Sequence, residues 1–219
     1  MKKNQERSAG RATQTPDGST AARQTNQTTN ATTDADGGPV VFFFKPNERH
    51  GEFCQWYPAT FTVSKAAMSA LIGHPIDEDD PHGWQPIYFR CAEQFMMYCK
   101  AGRFRDAETQ RRVLGTDDPK EQKRIGRTTQ GFDPARWDEI KSRVVVAGNA
   151  AKFGQNPELK SLLLATGDRV LAEAASQDRV WGIGFTASEA MAHRDRWGEN
   201  RLGEALMEVR KALREESGE

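Results

Sequence analysis

Cys91-Ala92-Glu93-Gln94-Phe95-Met96-Met97-Tyr98-Cys99-Lys100-Ala101 is the stretch on which the fold turns. Apolar residues fall on nearly every side of a helical wheel drawn through it, the pattern of a helix buried all round. Seven residues separate Glu93 from Lys100, which puts both on one helix face about 10 Å apart. A carboxylate entering such surroundings must be paired, or must have its pKa raised by desolvation. Two readings follow. Glu93 is either a poised acid/base or cation-stabilising group at a pocket floor, or a helix N-terminal glutamate satisfied by backbone N–H groups or a core ion pair. The spacing by itself leaves both open.

Upstream, Val40-Val41-Phe42-Phe43-Phe44 is a short apolar run bounded by Gly-Gly-Pro and Lys-Pro-Asn, which predicts a buried strand. A second strand is expected at Thr60-Phe61-Thr62-Val63. Residues 64–86 read as an irregular insertion, with Gly73-His74-Pro75 and Asp77-Glu78-Asp79-Asp80-Pro81 as turn chemistry. Downstream the pattern is helical. Ile140, Val144, Ala147 and Ala151 form a stripe along Trp137 to Phe153, Asn156 is the expected N-cap of another helix that begins at Pro157 and ends at Gly167, and Asn200 is expected to cap a last helix with Leu202, Leu206, Val209 and Leu213 on one face. The expectation is an α+β domain over 39–216, predominantly α-helical, with a small β-sheet and no internal repeat.

Residues 1–38 are rich in Thr, Gln, Asn and Ala without apolar periodicity, so they cannot offset their ordering entropy and are expected to be a disordered tail. Arg7, Arg11 and Arg23 with few acids resemble an organelle transit peptide, but the amphipathic Leu/Phe face is missing. Asn26-Gln27-Thr28 and Asn30-Ala31-Thr32 are glycosylation sequons, with no apolar signal core before them. The expectation is an intracellular protein, cytoplasmic or nuclear, with organelle import through the tail as the alternative. No apolar run approaches the roughly 20 residues of a membrane span.

Lys+Arg and Asp+Glu are 31 each, a balance that excludes a non-specific nucleic-acid coat and confines any such contact to a local patch. The cysteines, Cys54, Cys91 and Cys99, are odd in number and form no C-x-x-C pair. His50, His74, His82 and His193 show no ligand spacing. Neither a metal nor a cofactor is expected.

Other candidates lie in loops. Gly51-Glu52-Phe53-Cys54-Gln55-Trp56-Tyr57-Pro58 sets three aromatics between backbone breaks, faces that either stack a ring or anchor the loop in the core. Trp137 stands at a helix start. Trp181 sits between Asp178 and Gly182, where a missing side chain lets another group approach the backbone, and Asp178 either caps that turn or binds ligand. Lys123-Arg124-Ile125-Gly126-Arg127 either receives a phosphate through Arg127 or is a solvated face. Lys152, one turn beyond Gly148, is either a surface lysine or an amine able to engage a phosphate or attack an opened sugar.

In order, these segments resemble the NADAR/YbiA-like family. The resemblance rests on G-E-F-C-Q-W-Y-P, A-E-Q-F-M-M-Y-C-K-A, I-G-R, F-D-P-A-R-W, K-F-G-Q-N-P-E-L, L-L-L-A-T-G-D, D-R-V-W-G-I-G and N-R-L-G-E-A-L-M-E-V-R, over roughly residues 40–214. It implies a YbiA-like fold and hydrolysis of an N-glycosidic bond to ribose. The substrate is either an ADP-ribosylated guanine, in nucleotide or single-stranded nucleic acid, or a ribosylamino-pyrimidine phosphate of the riboflavin pathway; the non-enzymatic alternative is a module that only binds ADP-ribose or a nucleotide. No membrane and no obligate protein partner are implied.

Carried over by motif, the catalytic candidates are Glu93, Trp137 and Asp178, with Lys100 and Lys152 as family-matching lysines for a covalent route. Substrate contacts are expected at Gly51, Phe53, Trp56, Arg90, Gln94 and Arg127. Further contacts are expected at Gln155, Asn156, Trp181, Gly182 and Asn200. The chain departs from the pattern at Cys54-Gln55, where Ser-Asn is usual, at Gln94, where His is usual, and in the long 64–86 stretch.

Overall fold

A computed structural model describes residues 38–76 and 85–218. But for Gly38, the expected tail lies outside these residues, as does 77–84 of the expected insertion. The strands are β1 Val40–Phe43, β2 Phe61–Val63, β3 Ile87–Phe89 and β4 Val170–Glu173. The helices are α1 Lys65–Ile72, α2 Ala92–Arg103, α3 Ala107–Leu114, α4 Pro119–Gly126, α5 Pro134–Gly154, α6 Pro157–Leu164, α7 Ala187–Ala190 and α8 Arg201–Ser217. The fold is α+β and mainly helical, as the patterning implies. None of the described helices is long and apolar enough to cross a membrane.

The two expected strands belong to separate two-stranded sheets. β1 runs parallel to β4, with Val40 opposite Val170 and Phe43 opposite Glu173, while β2 pairs antiparallel with β3. A parallel pair needs a long crossover. Here it is the helical body of the chain, so neither β4 nor its partnership with β1 leaves a local signal.

α2 is buried from Ala92 to Gly102 except at Lys100, packed against α1, α3, α4, α5 and β3. Phe95 is wholly buried among Phe61 and Phe89. A helix surrounded in this way needs no polar face, which is why its sequence lacks one.

The expectation of an irregular 64–86 fails at its start, where α1 forms. The Ser64 hydroxyl accepts from the Ala67 N–H at 3.2 Å, Met68 and Ile72 turn one face into the core, and Gly73 ends the helix at φ 86°. The turn residues that follow obscured this short, capped helix. α5 begins earlier than the Trp137 stripe because Asp133 accepts from the Ala135 and Arg136 N–H groups and Pro134 takes the first turn.

Asn156 and Asn200 precede α6 and α8 but cap neither with their side chains. The Asn156 amide donates to the Thr60 and Lys152 carbonyls. Asn200, in the left-handed region at φ 53°, donates to the Leu171 carbonyl and accepts from the Glu173 N–H, tying the start of α8 to β4. At that junction a Cβ on Gly203 would lie 2.1 Å from the Leu171 carbonyl oxygen, a backbone atom that cannot step aside. Gly203→Ala should therefore destabilise the domain by about 1–3 kcal/mol despite alanine's better helix propensity. Thermal unfolding checks it, and an unchanged or higher Tm would contradict the close approach.

Candidate active site

α2, α4, the aromatic loop, the residues after β1 and the segment from the end of β4 to Trp181 enclose a cavity of about 1090 Å³. Glu93 stands in its wall, only 5% exposed, in the first turn of α2. The Gln55 carbonyl accepts the Glu93 N–H at 3.0 Å, so the aromatic loop is bound to the same turn. Of the two carboxyl oxygens, Oε1 is buried without a hydrogen-bond partner. Burial raises the Glu93 pKa. Lys123, a hydrogen bond from the Trp56 side chain, Arg127 and Lys100 act against that rise. A desolvated carboxyl group with one oxygen free and cations around it can meet positive charge in its ionised form.

Aromatic groups wall the same space. Trp137, from α5, is 7% exposed, and Trp56 and Trp181 are half-buried. Lys100 lies on the cavity with its Nζ 4.1 Å from the centre of the Phe132 ring. Its pKa is lowered, first by burial and then by Arg127, with Glu93 opposing. Exposed Lys123 and Arg127 stand at the rim.

Asp178 Oδ1 accepts from the Val180 and Trp181 N–H groups at 2.9 and 2.8 Å, the turn-capping role, and the residue also lines the cavity. The turn-capping reading of Asp178 thus holds, and the same residue stands at the cavity. The same cavity is lined by a carboxyl group the motifs do not mark, Glu173 at the end of β4. Burial first, then the negative charge of Asp178, pushes its pKa up to about 7. Among the described residues no three acid, histidine or cysteine side chains converge as metal ligands.

The sequence profile of the NADAR domain matches residues 42–214, the span that carries this cavity. The chain belongs to the NADAR family. It is 34% identical over 175 residues to an N-glycosidase of Acanthamoeba polyphaga mimivirus, covering 78% of this chain and 94% of that one. A riboflavin biosynthesis protein of Vibrio vulnificus is 30% identical over 175 residues, 80% of this chain and 39% of that protein. The NMR structure of Escherichia coli YbiA superposes with a TM-score of 0.60 at 25% identity, over 82% of this chain and 88% of that chain.

Within this NADAR domain the cavity gathers Glu93, Trp137, Asp178, Lys100, Trp56, Arg127 and Trp181 from far apart in the chain. The other candidates do not line it. Phe53 is wholly buried, edge-on to Phe43, and serves as the aromatic loop's core anchor. Gly51 meets the chain itself, since a Cβ there would lie 2.3 Å from the Pro46 carbonyl oxygen. Gly182 does admit a close backbone approach, but from the Glu173 carbonyl and not from a ligand. Arg90 pairs with Asp117, and its N–H is accepted by Gln94, whose amide donates to the Val113 and Thr116 carbonyls. Gln155 clamps the Thr62 backbone with two hydrogen bonds, and Asn156 and Asn200 brace strands as described.

Burial corrects the surface reading of Lys152. Its ammonium group is neither on the surface nor among the cavity-lining groups, being wholly buried with Nζ donating to the Glu52 and Cys54 carbonyls at 2.7 and 3.0 Å. Motif reading also missed Glu173, along with the cavity roles of Phe44 and Lys123. The one local trace of Glu173 is an acid set inside the apolar run Val170-Leu171-Ala172-Glu173-Ala174-Ala175, where solvation of a carboxylate is poor.

Proposed function

We propose that this NADAR cavity binds a ribose joined through C1 to a base nitrogen and hydrolyses that bond, with an ADP-ribosylated guanine as substrate. Family membership makes the chain a hydrolase of N-glycosyl bonds, the activity carried in the names of the mimivirus relative and of YbiA. The observation that carries the rest is the free, buried Oε1 of Glu93 in a cavity wall. As C1–N breaks, positive charge develops on the sugar, and a carboxylate held at that point stabilises it more than the neutral ground state.

Trp137 and Trp181 flank the space in which a leaving base stacks, while Lys123 and Arg127 supply cationic partners for phosphate oxygens. Asp178, with one oxygen committed to its turn, has the other to hold a ribose hydroxyl or a water. Room for a nucleoside diphosphate with a second base supports the larger substrate, the cavity of about 1090 Å³ lying just above the roughly 300–1,000 Å³ usual for ligand sites. A module that only reads nucleotides gains nothing from a desolvated carboxylate beside anionic phosphates, which favours catalysis.

The name of the Vibrio relative favours a second substrate, a ribosylamino-pyrimidine phosphate. Incubating the purified protein with an ADP-ribosylated guanine nucleotide and, separately, with a ribosylamino-pyrimidine phosphate decides between them. Mass spectrometry should detect free guanine base or nucleotide and ADP-ribose from the first. Release from the second alone replaces the substrate, and release from neither defeats the glycosidase reading.

A further inference from the structure

Hydrolysis of a C1–N bond has a requirement that a sugar-facing carboxylate does not meet. The nitrogen leaves as a poor anion unless a proton reaches it as the bond breaks. The group that delivers it must be protonated, fixed in place and open to the cavity, with surroundings unlike those of the carboxylate that faces the sugar cation.

Glu173 has these surroundings. Its backbone is held at both ends, the N–H by Asn200 Oδ1 at 3.1 Å and the carbonyl by the Ile183 N–H at 2.9 Å. Its Oε2 is buried without a hydrogen-bond partner on the cavity that Glu93 and Asp178 share. The charged groups that act on it are Asp178 and Glu93, both acids that disfavour a further anion, and Lys123, which opposes them. Glu93 differs. Burial raises its pKa too, but Lys123, the Trp56 side chain, Arg127 and Lys100 all favour its charged form. Burial raises both carboxyl groups of the cavity; the cations around Glu93 favour its charged form, and the acids around Glu173 favour its protonated form.

Resting on the glycosidase reading above, we infer that Glu173 is the general acid, protonating the leaving base nitrogen as C1–N breaks and taking a proton back from the water that attacks C1. The balance closes. The water oxygen bonds to C1, the C1–N electron pair stays with nitrogen, one proton passes from Glu173 to the base, and one water proton restores the acid. Burial and Asp178 place its pKa at about 7, so the acid form is well populated near neutrality.

Leaving groups that need no proton provide the test. With 4-nitrophenyl β-D-ribofuranoside the phenolate departs unaided, whereas the ADP-ribosylated guanine nucleotide and the ribosylamino-pyrimidine phosphate both require protonation. Glu173→Gln should lower kcat on the accepted N-linked substrate by about 10²–10⁴-fold and change nitrophenyl riboside turnover by less than about threefold. Wild-type kcat on the N-linked substrate should fall as pH rises through about 7, a limb absent with the nitrophenyl riboside and in Glu173→Gln. Glu173→Asp should keep that limb at reduced kcat. Equal losses on both leaving groups, no loss on either, or a Glu173→Asp variant without the limb overturns the assignment to Glu173 alone. A wild type inert towards all three probes overturns the glycosidase reading and this assignment with it.

Discussion

Glu93→Gln should lose about 10²–10³-fold in kcat while ADP-ribose binds within about threefold of wild type. Glutamine has the volume and the hydrogen-bonding reach of the glutamate, so Trp56 keeps a partner and α2 keeps its packing. What disappears is the charge that meets the sugar cation, present only along the reaction and hence read in kcat and not in ligand affinity.

Stability should move the other way. The folded-state pKa of Glu93 is raised above its ordinary value of 4.5, so the wild type is favoured with the group protonated and loses that contribution as pH rises towards the folded value. The amide has no proton to lose. Glu93→Gln should therefore melt no lower than wild type at pH 8 and decline less than wild type as pH rises above 4.5, the part that Glu173 contributes remaining in both. Steady-state kinetics, calorimetry with ADP-ribose and thermal melts over that pH range check the three parts. Full activity in the variant would remove Glu93 from the mechanism.

Lys152→Ala should cost about 3–5 kcal/mol of stability and with it most activity. The ammonium group crosses from α5 to the aromatic loop, where it satisfies the Glu52 and Cys54 carbonyls and lies 4.9 Å from the Phe153 ring centre and 5.5 Å from that of Tyr57. Truncation leaves two carbonyls without their donor and a void beneath the loop that carries Trp56 and the Gln55 contact to Glu93.

Burial pushes the Lys152 pKa down to about 8 from 10.5, so the stability tied to its neutral form is present above the unfolded value and lost as pH falls through about 8. Wild-type melting temperature should rise between pH 8 and pH 10.5 more than that of the alanine variant. A structural lysine also predicts a negative chemical result. Borohydride reduction during turnover should leave no sugar adduct on Lys152, and any adduct trapped should map to Lys100, which lines the cavity. An adduct at Lys152 would reverse this assignment.

The amino-acid sequence by itself determined a good deal. An all-round apolar helix with one acid and one lysine, α2, had to be buried, and its desolvated carboxylate had to be either paired or chemically poised. The stripes of α5 and α8, the Pro-led start of α6, the strand β1 and the ordered motifs of the family were local patterns readable residue by residue. Whether Glu93 was paired was not readable, because Lys123, Arg127 and Trp56 reach it through folding and not through spacing. Glu173 belonged to a strand whose partner, β1, is far away in sequence, so beyond an acid in a short apolar run nothing local marked β4 or its cavity-facing carboxyl. Gly182, Gln155, Asn156, Asn200 and Lys152 are polar or small residues in recognisable motifs, and only tertiary packing decided that their partners are backbone groups of this chain. Local patterns report which residues must leave water, whereas the charge and reach of each buried group depend on neighbours that long-range contacts supply.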